Sequence, residues 1–246
     1  MDIKAFQAGS KDIYLKYYGL MEKRRWAIDS DLNWAEMQTE KADRPLQEML
    51  YIASLIESYT FTTTPLFLQR HKDLPWIISL QMARGYEECK HGNALWRYLE
   101  NLGYPVLETD LIEIQQVPDK FEGMTLFERN LYSWLSEIET TVFYRKVSEQ
   151  LADPLGKNLL SLISADERVH GSFLLETIKL ELGLNPGLVQ NLQQILVDYQ
   201  NPEKESHYGS AVGEATFREV RQWANQNGLA EEVGEHVKQK IATLLH

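Results

Sequence analysis

Two short stretches of this chain carry the same chemistry. Glu88-Cys89-Lys90-His91 lies in the run GYEECKHGNALWRYLE, and Glu167-Arg168-Val169-His170 lies in the run ISADERVHGSFLLE. Each reads Glu-x-x-His. On a helix that spacing places a carboxylate and an imidazole on one face, one turn apart. Two such pairs from two helices, each joined by a lone Glu from two further helices, form the cage that holds two metal ions in a four-helix bundle. Carboxylate oxygens suit hard cations, and imidazole suits iron, manganese or zinc. The chemistry therefore needs two lone glutamates, and helices that turn all six groups inward.

The chain supplies helices nearly throughout. Alternating β-branched runs are absent, and Pro and Gly act as punctuation. The pattern predicts a first helix over about residues 10–26 and a second from Pro45 to the Thr-rich stretch before Pro65. A third is predicted from about Leu74 to Leu102, ending at Gly103-Tyr104-Pro105, with residues 104–124 irregular. A fourth spans about 125–152 and a fifth about 155–183, each closed by a proline signal. Shorter helices are predicted near 187–199, 212–227 and 229–245, with NPEKESHYGSAVG as a polar loop. The expectation is one all-α domain over 1–246, its bundle core at about 45–184 and accessory helices at 10–26 and 187–245.

The acidic groups fall on apolar stripes. In the third helix Ile77, Leu80, Arg84, Glu88, His91, Leu95, Leu99 and Leu102 recur at three- and four-residue steps. In the fifth, Leu160, Ile163, Glu167, His170, Leu174 and Ile178 do the same. Glu57 shares a stripe with Leu46, Met49, Leu50 and Ala53 in the second helix. In the fourth the choice lies between Glu137 and Glu139; Glu137 is on the stripe of Phe127, Leu131, Trp134 and Thr141. A charged Glu on an apolar face is costly unless paired or metal-bound. Four of them on four helices point to a metal site. His71, His207, His236 and His246 read as solvated residues, and Cys89, about 100° around the helix from Glu88, as a packing residue.

Composition removes other classes. A net charge of −11 over 246 residues argues against nucleic acid and against anionic membrane surfaces. No stretch is apolar for long enough to span a bilayer. The start, MDIKAFQAGSKDIY, shows no secretory signal pattern, and the one cysteine, Cys89, allows no intrachain disulfide. A cytoplasmic location is the simplest expectation.

The words around the ligands resemble the soluble acyl-carrier-protein desaturase family, a branch of the ferritin-like di-iron proteins. EECKHGNALWRYLENLG is similar to that family's EENRHG segment, SADERVH to its ADEKRH segment, and SEIETTVFYR to its Q-E-x-A-T segment. MEKRRWAIDSDLNW resembles the stretch that leads to a Trp behind the metal site. The resemblance covers about residues 20–180. It implies a ferritin-like four-helix bundle with added N- and C-terminal helices. It implies six ligands, Glu57, Glu88, His91, Glu137, Glu167 and His170, and its register selects Glu137 over Glu139. Asp166 would accept a hydrogen bond from His91, Trp26 would donate to Asp166, and Thr140 would be the hydroxyl at the oxygen site.

That resemblance implies an oxygen-dependent desaturase with two iron ions, manganese also fitting the ligand set. The enzyme would act on an acyl thioester carried by acyl carrier protein, with electrons from a ferredoxin-type donor, as a homodimer. The chain is strongly acidic, whereas docking acyl carrier protein needs a basic patch, to which only Lys23, Arg24 and Arg25 offer a start. The rivals are a di-iron hydroxylase, N-oxygenase or halogenase of a specialised metabolite, a ferritin-like iron-storage protein, and a metal-free helical scaffold.

Overall fold

The computed structural model describes residues 2–41, 43–199 and 222–242. Among them there are helices, turns and loops but no strand. The fold is an all-α bundle. In chain order the helices are α1 (Ile3–Arg24), α2 (Arg44–Ser58), α3 (Thr60–Arg70), α4 (Pro75–Asn101), α5 (Glu108–Gln116), α6 (Leu126–Gln150), α7 (Pro154–Leu184), α8 (Leu188–Tyr199) and α9 (Leu229–Ala242). Residues 222–226 form a further short turn of helix. The loop NPEKESHYGSAVG and most of the helix expected at 212–227 lie outside the described residues. No helix among the described residues is long and apolar enough to cross a membrane.

Local signals set the ends of the long helices. Asp43 caps α2 by accepting from Leu46 N at 3.0 Å, with Pro45 in the first turn. Thr125 and Glu128 form a capping box on α6. Asp153 caps α7, accepting from Gly156 N at 2.7 Å, and also holds Tyr98 Oη at 2.9 Å. Only Leu151–Asp153 joins α6 to α7, so the two run back to back as an antiparallel pair. Helix α2 packs on α4, and α1 lies against both α4 and α7.

Three expectations shift. Helix α1 starts at Ile3, not near residue 10, because the Asp2 carboxylate accepts from Lys4 N and Ala5 N and the following turn buries Phe6. The second helix does not run on to the Thr-rich stretch. It breaks at Tyr59, and α3 continues through Pro65. A proline inside a helix costs about 3 kcal/mol; burial of Phe67 against Phe6, Leu74 and Ile77 offsets much of it, at about 1.5–3 kcal/mol for such a side chain. The segment 104–124 contains α5, which packs on α2 and α3 and buries Ile114.

The apolar core has two main parts. One joins Leu80 of α4, Phe127–Leu135 of α6 and Val169–Leu182 of α7 to α1, α8 and α9. The other joins Ala53 of α2, Ala94–Leu99 of α4, Tyr144–Leu151 of α6 and Leu155–Ile163 of α7. Between these two parts the four helices leave a polar layer.

Candidate metal centre

That layer is where the motifs meet. Helix α2 contributes Glu57, α4 contributes Glu88 and His91, α6 contributes Glu137, and α7 contributes Glu167 and His170. None of the six is more than 8% exposed. One donor atom from each of Glu57, Glu88, His91 and Glu167 lies within 4.8 Å of the other three, and the same holds for Glu88, Glu137, Glu167 and His170. The two groups share Glu88 and Glu167. Glu139 is elsewhere and accepts from Tyr199 Oη.

Two glycines allow the helices to approach. Each motif continues with Gly: His91-Gly92 and His170-Gly171. A Cβ at 171 would stand 3.3 Å from Glu137 Cβ, and one at 92 would stand 3.1 Å from Ser58 Oγ and 3.5 Å from Glu57 Cβ. Each motif thus brings the helix of one lone Glu close to its own.

The inner donor atoms are poorly satisfied. Glu57 Oε2, Glu88 Oε1, His91 Nδ1 and Glu167 Oε1 are buried without a hydrogen bond. Glu88 Oε1 does face Arg84 Nη2 as an ion pair at 2.9 Å. His91 Nδ1 lies 3.0 Å from Glu167 Oε1 and 3.6 Å from Glu57 Oε2, so the unpaired atoms converge on a common centre. Buried polar atoms rarely stay unpaired. Carboxylates and imidazoles converging in this way could hold a metal ion.

The outer nitrogens of both imidazoles are held from behind. His91 Nε2 lies 3.1 Å from Asp166 Oδ2, which also accepts from Trp26 Nε1 at 2.7 Å and faces Lys90 Nζ at 3.3 Å. Trp26 stacks on His91, and Lys90 Nζ sits 4.1 Å from the indole centroid. His170 Nε2 lies 2.7 Å from Glu87 Oε2. A carboxylate can only accept, so each Nε2 donates and each Nδ1 turns inward. The sequence reading named Asp166 and missed Glu87. The signal was present: both motifs are an acid, then Glu-x-x-His-Gly, and each leading acid serves the other motif's imidazole. Also missed was Tyr144, which donates to Glu57.

Charge is shared unevenly across the layer. Burial, with the nearby carboxylates Glu167 and Glu88, raises Glu57 well above the usual carboxylate range, and burial raises Glu137 likewise despite Arg84. Burial opposes charge at His91, His170 and Glu167 too. There the mutual attraction of imidazolium and carboxylate wins, lifting both histidines and depressing Glu167. Burial also opposes charge on Glu88, which Arg84 holds below its ordinary value.

A cleft reaches this layer. It has about 50 Å³ of room and is lined by Glu57, Glu88 and Glu137, by the cations Arg84 and Lys120, by Thr60, Thr63, Ser133, Ser136 and Thr140, and by the apolar and aromatic Ile56, Tyr59 and Phe121. The Thr140 hydroxyl lies on the wall and donates to its own helix, to Ser136 O at 3.1 Å and Glu137 O at 3.3 Å. Burial depresses the Lys120 ammonium to about 7. Away from the cleft, Cys89 accepts a weak hydrogen bond from Asn93 at 3.6 Å, and His71 packs on Phe67 with ring centroids 4.6 Å apart. His236 is half exposed on α9, and His207 and His246 lie outside the described residues.

No protein-family model, curated protein or solved structure matches the chain.

Proposed function

We propose that this chain is a dioxygen-dependent oxidoreductase that works with two iron ions. The observation that carries this reading is the convergence of Glu57, Glu88, His91, Glu137, Glu167 and His170 in one buried layer, where an inner atom of four of them makes no hydrogen bond. Four carboxylates and two imidazoles match the donor preference of iron and of manganese. Such a pair of ions would let dioxygen act as the oxidant, with two electrons from an external donor, a chemistry that no side chain supplies. The residues of this chain do the rest. Glu57 and Glu137 would complete the two ends, and Glu88 and Glu167 would serve both. Asp166 and Glu87 fix the tautomers of His91 and His170. The apolar clusters on either side would keep bulk water from the layer except at the cleft.

The substrate expected from the resemblance is an acyl chain held as a thioester on acyl carrier protein, desaturated with electrons from a ferredoxin-type donor by a homodimer. One observation favours a second reading. The cleft that reaches Glu88 and Glu137 has Arg84, Lys120 and several hydroxyl groups on its wall, beside Ile56, Tyr59 and Phe121. Charged groups and hydroxyls along such a wall can meet the polar atoms of a small substrate, which a hydrocarbon chain lacks. Hydroxylation or N-oxygenation of a polar metabolite uses the same centre.

The test is iron content followed by product mass. Iron-loaded, reduced protein is exposed to dioxygen with acyl-carrier-protein thioesters and, separately, with small polar amines and acids. Loss of two hydrogens from an acyl chain supports desaturation, and gain of oxygen by a small polar substrate supports the second reading. A protein that binds no iron, or binds it and consumes no dioxygen, refutes both.

A further inference from the structure

The two halves of the buried layer differ in one respect. Three inner atoms with neither a hydrogen bond nor a guanidinium beside them, Glu57 Oε2, His91 Nδ1 and Glu167 Oε1, belong to the first group of donors. The second group already has a cation. Arg84, one turn before Glu88 on α4, reaches Glu137 Oε1 with Nη2 at 2.5 Å and Nε at 2.7 Å, and Glu88 Oε1 with Nη2 at 2.9 Å. His170 Nδ1, the inner nitrogen of that group, lies 2.8 Å from Glu167 Oε2 in a hydrogen bond. The guanidinium is one-fifth exposed and forms part of the cleft wall, so it approaches from the open side.

We propose that Arg84 makes the layer load in order: a divalent cation enters the Glu57–Glu88–His91–Glu167 half first, and the Glu137–His170 half takes a second ion more weakly. This inference rests on the metal-binding part of the reading above, and not on any reaction with dioxygen. The physical argument is charge. Each half has three carboxylates and one imidazole. A guanidinium on two of those carboxylates cancels one negative charge for the second half and engages oxygens that an incoming ion needs. An adjacent Arg lowers a carboxylate's affinity for a proton by about one to three powers of ten. A doubly charged ion meets at least that handicap. Glu88 belongs to both halves, but only the second contains Glu137, where the guanidinium makes two of its contacts. The same residue thus gives the two positions different affinities although their donor types are identical, and so permits two different metals in one centre.

Manganese(II) is the probe, titrated into metal-free protein under argon and followed by calorimetry and electron paramagnetic resonance. The expected result is two steps at least about tenfold apart in affinity. The first gives the signal of an isolated ion, and the second quenches it through spin coupling. Glu137→Gln removes the weak step alone, whereas Glu57→Gln removes the tight one. Arg84→Met narrows the gap, and Arg84→Lys, which keeps the charge, preserves most of it. Should Arg84→Met fail to fold by circular dichroism, the two glutamine variants still decide the order. Equal affinities in the unaltered protein, an unchanged gap in folded Arg84→Met, loss of the tight step in Glu137→Gln, or no manganese binding would each overturn the proposal. Ordered loading without dioxygen consumption leaves the inference standing and removes the oxidase reading. Dioxygen consumption with simultaneous loading does the reverse.

Discussion

A methyl group at position 171 would press the α6 helix away from α7 at the level of the ligands. Gly171 directly follows His170, and an added Cβ would stand 3.3 Å from Glu137 Cβ and 4.0 Å from both Glu137 Cγ and Trp134 Cδ1. Carbon atoms rest at about 3.5–4.0 Å, so Gly171→Ala obliges Glu137 to retreat by about 0.2–0.7 Å. Overpacking of this kind costs about 1–3 kcal/mol. Alanine in place of glycine inside a helix returns about 0.5–1 kcal/mol. The net is a loss of up to about 2.5 kcal/mol in stability, read as a lower midpoint in urea. The effect on metal is larger in proportion. Metal–ligand distances tolerate only about 0.2 Å, and misplaced supports typically weaken binding by about ten- to a hundredfold. Manganese affinity of the half that contains Glu137 should fall by that factor while the other half keeps its own. Gly183→Ala is the control, since it lies on the same helix with nothing within 4 Å of its Cβ. It should gain a little stability and leave both affinities alone. If Gly171→Ala binds both equivalents as the unaltered protein does, helix spacing at this point does not place Glu137, and the argument from the repeated glycine fails.

Other variants probe the supports and the core. Glu87→Gln and Asp166→Asn should each weaken manganese binding by about ten- to a hundredfold, and Glu87→Gln should do so although the sequence motif does not include it; unchanged titrations would show that His170 is oriented by other means. Glu181, 3% exposed and accepting from Asn130 Nδ2 at 3.0 Å, is pushed by burial from 4.5 up to about 7. Its folded form therefore binds the proton more tightly than the unfolded chain, so its contribution to stability declines as pH rises from about 4.5 to 7 and stays lost above. Glu181→Gln should match the unaltered protein near pH 4 and exceed it by up to about 3 kcal/mol at pH 8 in urea unfolding; an equal difference at both pH values would refute the assignment. Leu95→Ala, at a fully buried position just beyond the polar layer, should cost about 2–5 kcal/mol in unfolding yet leave two manganese ions bound per chain; loss of the metal would show that the apolar cluster, not the ligands, limits the site.

Much of this could be read from the chain because expensive residues declare themselves. A Glu among leucines at helical spacing is legible without a structure, and Glu57, Glu88, Glu137 and Glu167 were found that way and are buried together. The long helices α4, α6 and α7 were legible for the same reason, since each repeats its stripe for many turns and ends at proline or glycine. Short elements were not. Helix α5 buries one residue deeply, Ile114, which is too little periodicity to register. The break at Tyr59 was displaced from Pro65 because tertiary contacts of Tyr59 with Pro118 O and Lys120 N decide where the chain turns. Arg84 stood in the stripe of α4 from the start, but which carboxylates it meets depends on the rotation of α6 against α4. The cleft, built from α2, α3, α4, α6 and the loop at Lys120, has no footprint in any one of them.

The duplication carries more than two ligands per copy. Glu87-Glu88-x-x-His91-Gly92 and Asp166-Glu167-x-x-His170-Gly171 place four functions in six residues. The Glu and His face the layer, the glycine admits the helix that bears a lone Glu, and the leading acid crosses to the opposite motif. His91 is oriented by Asp166, and His170 by Glu87. Neither copy can present its imidazole correctly without the other. A lone Glu-x-x-His on a helix surface lacks this reciprocity and is satisfied by water. Here the exchange of hydrogen bonds ties α4 to α7, two helices that otherwise touch only sparingly. The fold and the candidate centre therefore depend on the same contacts, and the cost of burying four glutamates is met where the two copies interlock.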